Sequence, residues 1–210
     1  MIELEKSPSY IALRDYYLNP PVMRLVKCSR NENSISDILA WLFDPEARHT
    51  LGCKPLGLLL KLTENHPPKA NQPSIQLSKE TLPTLRIRVR REDSIPDGAV
   101  DIVIRMTSEA TYLNRTLVLE NKIGAAEGTI EKGETPQTIR YYNHYNDPSE
   151  EQSFIFLTQC GARPPCSEHF SHINYQKLVR EILEPLLSTL ELNTELFDAR
   201  PSRIYDWFRF

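Results

Sequence analysis

Two short, almost uninterrupted apolar runs constrain the fold of this chain more than any other feature. They are Val100–Met106 and Thr116–Ile123, both rich in β-branched residues and bounded by turn-type residues, a pattern typical of β-strands. A strand that is apolar on both faces must be covered on both faces. We therefore expect these runs to be central strands of a sheet that lies between layers of helix, in an α/β protein.

The remaining segments predict the other elements of such a fold. A helix is expected from Asn31 to the Asp44-Pro45 stop, and a Leu-rich helix over about 51–64. Helices are also expected over 135–146, entered through Thr135-Pro136, and over about 175–192, with a kink at Pro185. Three more strands are predicted: Ile75–Leu77, Leu85–Val89 and Ser153–Thr158. The residues between the last of these strands and the final helix are predicted to form a loop. The chain as a whole, 1–210, reads as one domain with a core of about 31–158, an N-terminal helical segment 1–28 and a C-terminal helical segment 175–210.

Composition excludes several classes of function. With seven glycines in 210 residues, the chain has neither a GxGxxG nor a GxxxxGK[ST] motif, so no nucleotide-cofactor site is visible. The net charge of −3 argues against a uniformly basic coat but not against a local basic face. The first six residues lack the features of a signal peptide, and the run Leu56–Leu62 is far too short to span a membrane. We expect a cytoplasmic protein with no membrane partner.

Three charged residues interrupt the two apolar strands. Asp101 lies near the start of one, and Glu120 and Lys122 lie near the end of the other. Residues i and i+2 of a strand point to one face, so Glu120 and Lys122 should project together while Asn121 points away. Buried carboxylates are costly unless they are paired or bind a metal. About one [DE]-x-Lys triplet is expected here by chance, and a structural salt bridge between the strands is the alternative interpretation.

Several short motifs occur together in order. Residues 98–104 (Gly-Ala-Val-Asp-Ile-Val-Ile) are followed by 117–123 (Leu-Val-Leu-Glu-Asn-Lys-Ile) and then by Gln137-x-x-x-Tyr141. Upstream, residues 30–34 and 39–45, with His49, complete the pattern. This arrangement resembles the PD-(D/E)XK nuclease superfamily, in particular a bacterial subgroup with ExK and QxxxY motifs. The resemblance covers about two thirds of the chain and implies a restriction-endonuclease-like αβββαβ core with a mixed sheet of four to five strands flanked by helices.

The resemblance also implies roles for individual residues. Asp101 and Glu120 would be metal ligands together with the backbone carbonyl of Asn121, and Glu32 would add a further carboxylate. Lys122 would orient or deprotonate the attacking water and offset charge on the phosphate. Two residues of the next helix would position Lys122, the metal or the phosphate: Gln137 and Tyr141. The literal Pro-Asp pair is Pro96-Asp97, but Asp97-Gly98 fits a turn better, so Asp101 is preferred. His49 could lie near the site or make a hydrogen bond within its linker.

A basic stripe is the candidate surface for nucleic acid. Residues 85–91 alternate apolar and basic side chains, which places Arg86, Arg88 and Arg90 on one face of a strand. They could track phosphates or simply keep an edge strand solvated and resistant to aggregation. Arg140, on the helix of Gln137, is a further candidate.

These observations predict a Mg²⁺-dependent nuclease, for which Mn²⁺ could substitute, that hydrolyses DNA phosphodiester bonds as an endonuclease rather than an exonuclease. The resembling subgroup occurs in restriction and antiphage systems, so a bacterial defence role is expected, with a homodimer or a partner defence subunit supplying specificity. Two alternatives stay open. The same site could act on RNA, or the fold could be a non-catalytic module that binds nucleic acid or a partner.

Overall fold

The computed structural model describes residues 31–70, 75–96, 98–108, 113–124, 127 and 135–192. The predicted N-terminal helical segment 1–28 and the last part of the C-terminal segment lie outside these residues. The elements below belong to a compact unit, Glu32–Leu186, except that the last helix continues to Leu192. Residues 1–31 with 187–210 are assigned to a second unit. The single-domain organisation therefore stays a prediction.

A mixed five-stranded sheet forms the centre of the unit. Its strands are β1 (Arg86–Ile95), β2 (Gly98–Ser108), β3 (Leu113–Lys122), β4 (Glu151–Thr158) and β5 (Phe170–Asn174). They lie side by side in chain order. The pairs β1–β2 and β2–β3 are antiparallel, whereas β3–β4 and β4–β5 are parallel. The carboxyl ends of β3, β4 and β5 consequently meet at one edge of the sheet.

The central strands are buried on both faces, as their apolar runs predict. Ile102, Val103, Val118 and Leu119 have no exposed surface. Burying such a side chain contributes about 1.5–3 kcal/mol, which explains why these runs occupy the middle of the sheet. In β1, by contrast, exposed and half-buried residues alternate along the whole strand, as expected at an edge.

Helices cover the sheet. The first helices are α1 (Glu32–Phe43) and α2 (Lys54–Asn65). Helix α1 contacts strands β1, β2 and β3, whereas α2 contacts α1 and the π-helical turn Val179–Leu183. On the other face, α3 (Gln137–Tyr145) packs its tyrosines against Val103, Val118 and the phenylalanines of β4 and β5. The last helical stretch consists of α4 (Tyr175–Leu178), the π-helical turn and α5 (Glu184–Leu192).

Most sequence-based boundaries agree with the structure to within a few residues, with two errors. Ile75–Leu77 is not a strand. Its one fully buried residue, Ile75, donates its backbone N–H to Ser153 Oγ at 3.1 Å, so the segment contributes an anchor instead of pairing. Conversely, β5 lies where a loop was predicted. The disturbance expected at Pro185 occurs as the π-helical turn directly before it, because proline supplies no backbone donor to the preceding turn.

No helix among the described residues is long and apolar enough to cross a membrane.

Candidate active site

The two interrupted strands bring their charges together at one edge of the sheet. Ile102 pairs with Leu119 across β2 and β3, and continuing that register by one residue sets Asp101 opposite Glu120. Lys122 Nζ donates to Glu120 Oε1 at 2.6 Å. It also donates to Glu32 Oε1 at 3.0 Å, on the first turn of α1. The structure thus brings together the four charged residues that the sequence suggests for the active site, namely Glu32, Asp101, Glu120 and Lys122.

Glu120 is the most deeply buried member of this cluster. Its side chain is only 1 % exposed, and its Oε2 is buried without a hydrogen-bond partner among the described residues. Burial, and next the charge of Asp101, raise the pKa of Glu120 to about 8, because desolvation and a neighbouring like charge both disfavour the carboxylate. An acceptor oxygen aimed at no donor is the kind of feature that a bound cation satisfies.

Asp101 is held in place by the backbone of the neighbouring strand. Its Oδ2 accepts a hydrogen bond from Asn121 N at 2.8 Å. Burial raises the pKa of Asp101, although this hydrogen bond and the charge of Lys122 act in the opposite direction. The alternative candidate, Asp97, lies outside the described residues. The position of Asp101 opposite Glu120 is what the preferred assignment requires.

Lys122 and Glu32 form an ion pair in the site. Burial lowers the pKa of Lys122, but the charge and hydrogen bond of Glu120, together with those of Glu32, outweigh it and leave the pKa above its usual value. Lys122 is therefore an ammonium group at neutral pH. Glu32 uses both oxygens, since Oε2 accepts from Ile123 N at 2.9 Å. Its position fits a residue that holds Lys122 and the end of β3.

Asn121 points to the opposite face, as strand alternation predicts. Its Nδ2 donates to Ser36 Oγ at 3.0 Å and to the Glu32 carbonyl at 3.3 Å. Its Oδ1 accepts a hydrogen bond from the Tyr175 hydroxyl. These bonds connect α1, β3 and the start of α4, so the side chain of Asn121 fixes the strand while its neighbours on either side face the site.

The predicted pair on α3 lies beside the cluster but bonds to itself and to β2. Gln137 Nε2 donates to the Tyr141 hydroxyl at 2.7 Å, and that hydroxyl donates to the Ala99 carbonyl at 2.6 Å. Tyr141 is 1 % exposed, and burial followed by the charge of Glu120 raises its pKa to about 12. In this arrangement the pair secures the segment just before Asp101.

Sequence reasoning missed Arg91, which joins three parts of the site. Its Nε donates to Asp37 Oδ1 at 2.7 Å, and its Nη2 donates to the Asn33 carbonyl at 3.3 Å. Its Nη1 donates to the backbone carbonyl of Asp101. One guanidinium from β1 thus clamps α1 to the residue that would bind metal. A signal for it existed, because Arg91 falls on the apolar side of the alternating pattern.

Glu127 was missed as well. Its Oε1 accepts from Thr138 N and from Thr138 Oγ1, both at 2.6 Å, and its Oε2 accepts from Cys166 N at 2.7 Å. It therefore connects the first turn of α3 with the loop after β4. That loop, with Lys122, Glu127 and Thr158, encloses an open cavity of about 370 Å³, hereafter the Lys122 cavity. No sequence pattern marked Glu127.

The candidate nucleic-acid residues lie away from this cluster. Arg86, Arg88 and Arg90, the arginine stripe, are exposed on edge strand β1, so the predicted face and the edge position are both observed. Arg140 is half-buried on α3. His49 is fully buried, accepts from Leu51 N through Nδ1 at 3.0 Å and meets Trp41 edge to face, which agrees with a hydrogen bond within its linker.

The donor set suits a hard divalent cation. Two carboxylates, one with a buried oxygen that lacks a partner, supply the oxygen ligands that Mg²⁺ prefers. Within the described ranges, no three His, Cys, Asp or Glu side chains are arranged to hold a metal, since Glu32 is engaged by Lys122 and Ile123. A metal would thus rest on Asp101, Glu120 and non-side-chain ligands. Mg²⁺ commonly retains several waters and binds through one or two carboxylates.

The site thus places two carboxylates and a lysine on adjacent strands of a mixed sheet, an arrangement suited to metal-assisted hydrolysis. A family model described as the PD-(D/E)XK nuclease superfamily matches residues 22–203. The chain belongs to this superfamily, its fold is restriction-endonuclease-like, and its family membership indicates a metal-dependent nuclease. Searches of curated proteins and of solved structures gave no match.

Proposed function

We propose that the protein is a Mg²⁺-dependent DNA endonuclease in which Asp101, Glu120 and Lys122 act directly on the substrate phosphate. The observation that carries the proposal is the pair Asp101–Glu120, with a buried carboxylate oxygen of Glu120 that has no partner among the described residues. The salt bridge with Lys122 occupies Oε1 alone and does not account for the buried Oε2. A binding module without catalysis has no reason to retain this costly arrangement.

The residues divide the work in a simple way. Asp101 and Glu120, with the Asn121 backbone carbonyl, would hold the divalent cation, which when bound activates water and neutralises charge on the phosphate. Lys122 keeps its proton because of Glu120 and Glu32, so it donates to a phosphate oxygen and stabilises the charge that develops there. This protonation favours the orienting and charge-offsetting role over that of a base. Gln137 and Tyr141 position the β2 segment that precedes Asp101.

The substrate and context follow from the subgroup that the motifs resemble. DNA, endonucleolytic cleavage, Mg²⁺ and a cytoplasmic defence role are parts of this proposal, as is a homodimer or a partner defence subunit that confers specificity. The arginine stripe is a proposed contact for the phosphate backbone, because its exposed guanidinium groups are suited to bind phosphates. Arg140, which is half-buried on α3, is a further proposed contact.

A cleavage assay with three substrates tests the proposal. Covalently closed plasmid, linear duplex and labelled RNA are incubated with purified protein in Mg²⁺, in Mn²⁺ and in EDTA. The proposal expects nicking of the closed plasmid, which has no ends, in the presence of either metal and none in EDTA. Cleavage of RNA alone would transfer the same site to a ribonuclease, and cleavage of linear DNA alone would indicate an exonuclease. Binding without cleavage of any substrate would reject catalysis.

A further inference from the structure

A second open cavity lies beside the site, and no role has been assigned to it. It has a volume of about 400 Å³, and two lysines, Lys69 and Lys177, line it together with His66 and His172. Its other walls include Pro164 and Phe170. We call it the Lys177 cavity. Ammonium groups and imidazoles beside an apolar wall form a surface suited to a phosphate and its attached sugar.

The sheet register connects this cavity to the active site. Glu120 is paired with Phe156, and Phe156 with His172, across the parallel strands β3, β4 and β5. Residues paired in this way point to the same face, and the rings of Phe156 and His172 are indeed neighbours, with centroids 6.1 Å apart. At about 4.8 Å between strands, His172 lies about 10 Å from Glu120 along the sheet. That is a separation of one to two phosphates along a strand, because neighbouring phosphates lie farther apart than the rise of about 3.4 Å along the duplex axis.

One hydrogen bond joins the walls of the two cavities. Thr158, at the end of β4, lines the Lys122 cavity, and its Oγ1 lies 2.8 Å from His172 Nε2 in the Lys177 cavity. The two cavities are therefore adjacent. A chain bound at Lys122 can continue across Thr158 into the second cavity.

The charge of the Lys177 cavity favours an anion. Lys177 Nζ donates to His66 Nδ1 at 3.2 Å, and His66 Nε2 pairs with Glu181 at 3.0 Å, so His66 stands between the lysine and that carboxylate. Within the described part of the chain, neither Lys69 nor Lys177 forms an ion pair. Burial, followed by the charges of these two lysines, lowers the pKa of His172. One carboxylate, Glu168, also lines it, and two ammonium groups exceed its charge.

We infer that the Lys177 cavity binds a backbone phosphate of the nucleic-acid strand that is cut at Lys122, one or two nucleotides from the cut. This inference rests on the proposed function and adds to it a substrate subsite. It gives the active site a direction along the sheet from β3 to β5, away from the arginine stripe on β1.

The first test compares two double variants of equal charge. Lys69→Gln/Lys177→Gln removes both cavity lysines, while retaining an amide donor for His66. The control, Lys61→Gln/Lys79→Gln, removes two exposed lysines that do not line the cavity. Binding of a 30-base-pair duplex is measured by fluorescence anisotropy over a range of salt concentrations, in an Asp101→Asn background that keeps the duplex intact. Lys69→Gln alone provides a milder variant if the double variant is poorly folded.

The expected result is a change in salt dependence. Each neutralised phosphate contributes about 0.9 to the slope of log K against log salt, so losing the single phosphate contact of this cavity reduces the slope by about 0.9. When the salt concentration falls from 1 M to 0.1 M, each phosphate contact increases the affinity about eightfold. The control should keep the parental slope. Equal slopes for the cavity and control variants would overturn the inference, and so would a parental slope in the cavity variant.

The second test uses two cysteines that report on the two cavities. Cys160 lines the Lys122 cavity and Cys166 lines the Lys177 cavity, and both thiols are exposed. Their alkylation rates by N-ethylmaleimide are measured by mass spectrometry of the otherwise unmodified protein, with and without the duplex. The inference expects both thiols to be protected. Protection of Cys160 alone would overturn the subsite and leave the proposed function intact. If the protein neither binds nor cleaves nucleic acid, the proposed function fails, and the subsite with it.

Discussion

Replacing Glu120 by Gln should stabilise the metal-free protein while it abolishes cleavage. The carboxyl group of Glu120 is 1 % exposed and lies beside Asp101. Its pKa of about 8 in the folded state lies above the usual glutamate value of 4.5. The folded protein therefore retains a proton that the unfolded chain releases, and native stability falls as pH rises between these values. Gln has similar volume, is neutral and can still accept from Lys122.

The size of the effect follows from the shift. Stability changes by about 1.4 kcal/mol per pH unit within this window, so the advantage of Glu120→Gln should grow by about 3 kcal/mol between pH 5 and pH 8. For a chain of this size that corresponds to a melting-temperature difference on the order of 10 °C.

Urea denaturation of both proteins in EDTA at pH 5, 6, 7 and 8 provides the assay, with Glu64→Gln, an exposed carboxylate on α2, as the control. The control should show a small difference that is independent of pH. A stability difference for Glu120→Gln that does not change with pH, or a variant less stable than the wild type at pH 8, would refute the reasoning. Such a trade of stability for a charged buried site is common in catalytic centres.

Three further predictions concern residues around the site. Arg91→Lys keeps the charge, but its single ammonium nitrogen cannot reach partners that the guanidinium binds through three separate nitrogens. The Mg²⁺ concentration for half-maximal cleavage should therefore rise about tenfold with little change in the KM for DNA; an unchanged metal requirement would contradict the clamp. Replacing all three residues of the arginine stripe by Gln should lower the salt slope of DNA binding by about 0.9 per phosphate contact, and an unchanged slope would favour the role of a solvated edge. Burial raises the pKa of Asp93, but hydrogen bonds from Tyr145 and Arg105 outweigh burial and leave the pKa below its usual value. The contribution of Asp93 to stability is therefore present above about pH 4 and is lost at lower pH. Asp93→Asn should therefore cost about 1–3 kcal/mol at pH 7 and much less at pH 3 in chemical denaturation, and an equal cost at both pH values would speak against this network.

The centre of the fold was predictable because burial on both faces leaves a clear signature. The runs around Asp101 and Glu120 are mostly apolar, so both the strands and the charged exceptions could be recognised. Strand alternation then sufficed to separate Glu120 and Lys122 from Asn121. The structure agrees on all three orientations.

Other features depend on contacts that no local pattern encodes. The strand β5 contains Ser171, His172 and Asn174, so it has no apolar run, and it is buried through its pairing with β4. Arg91 departs from the alternation of the arginine stripe, but the sequence does not show that its partners lie on α1. Glu127 acts through two segments that are distant in sequence. Each of these features depends on contacts between segments that are distant in sequence.

The most direct test of the account is the single-turnover cleavage rate of closed plasmid in Mg²⁺ by the wild type, Asp101→Asn and Lys122→Met, each checked for folding by circular dichroism. The account predicts metal-dependent cleavage by the wild type and a loss of at least about 100-fold in each variant, because each removes a group that acts on the phosphate or its metal. Wild-type rates in both folded variants would contradict the assignment of the active site.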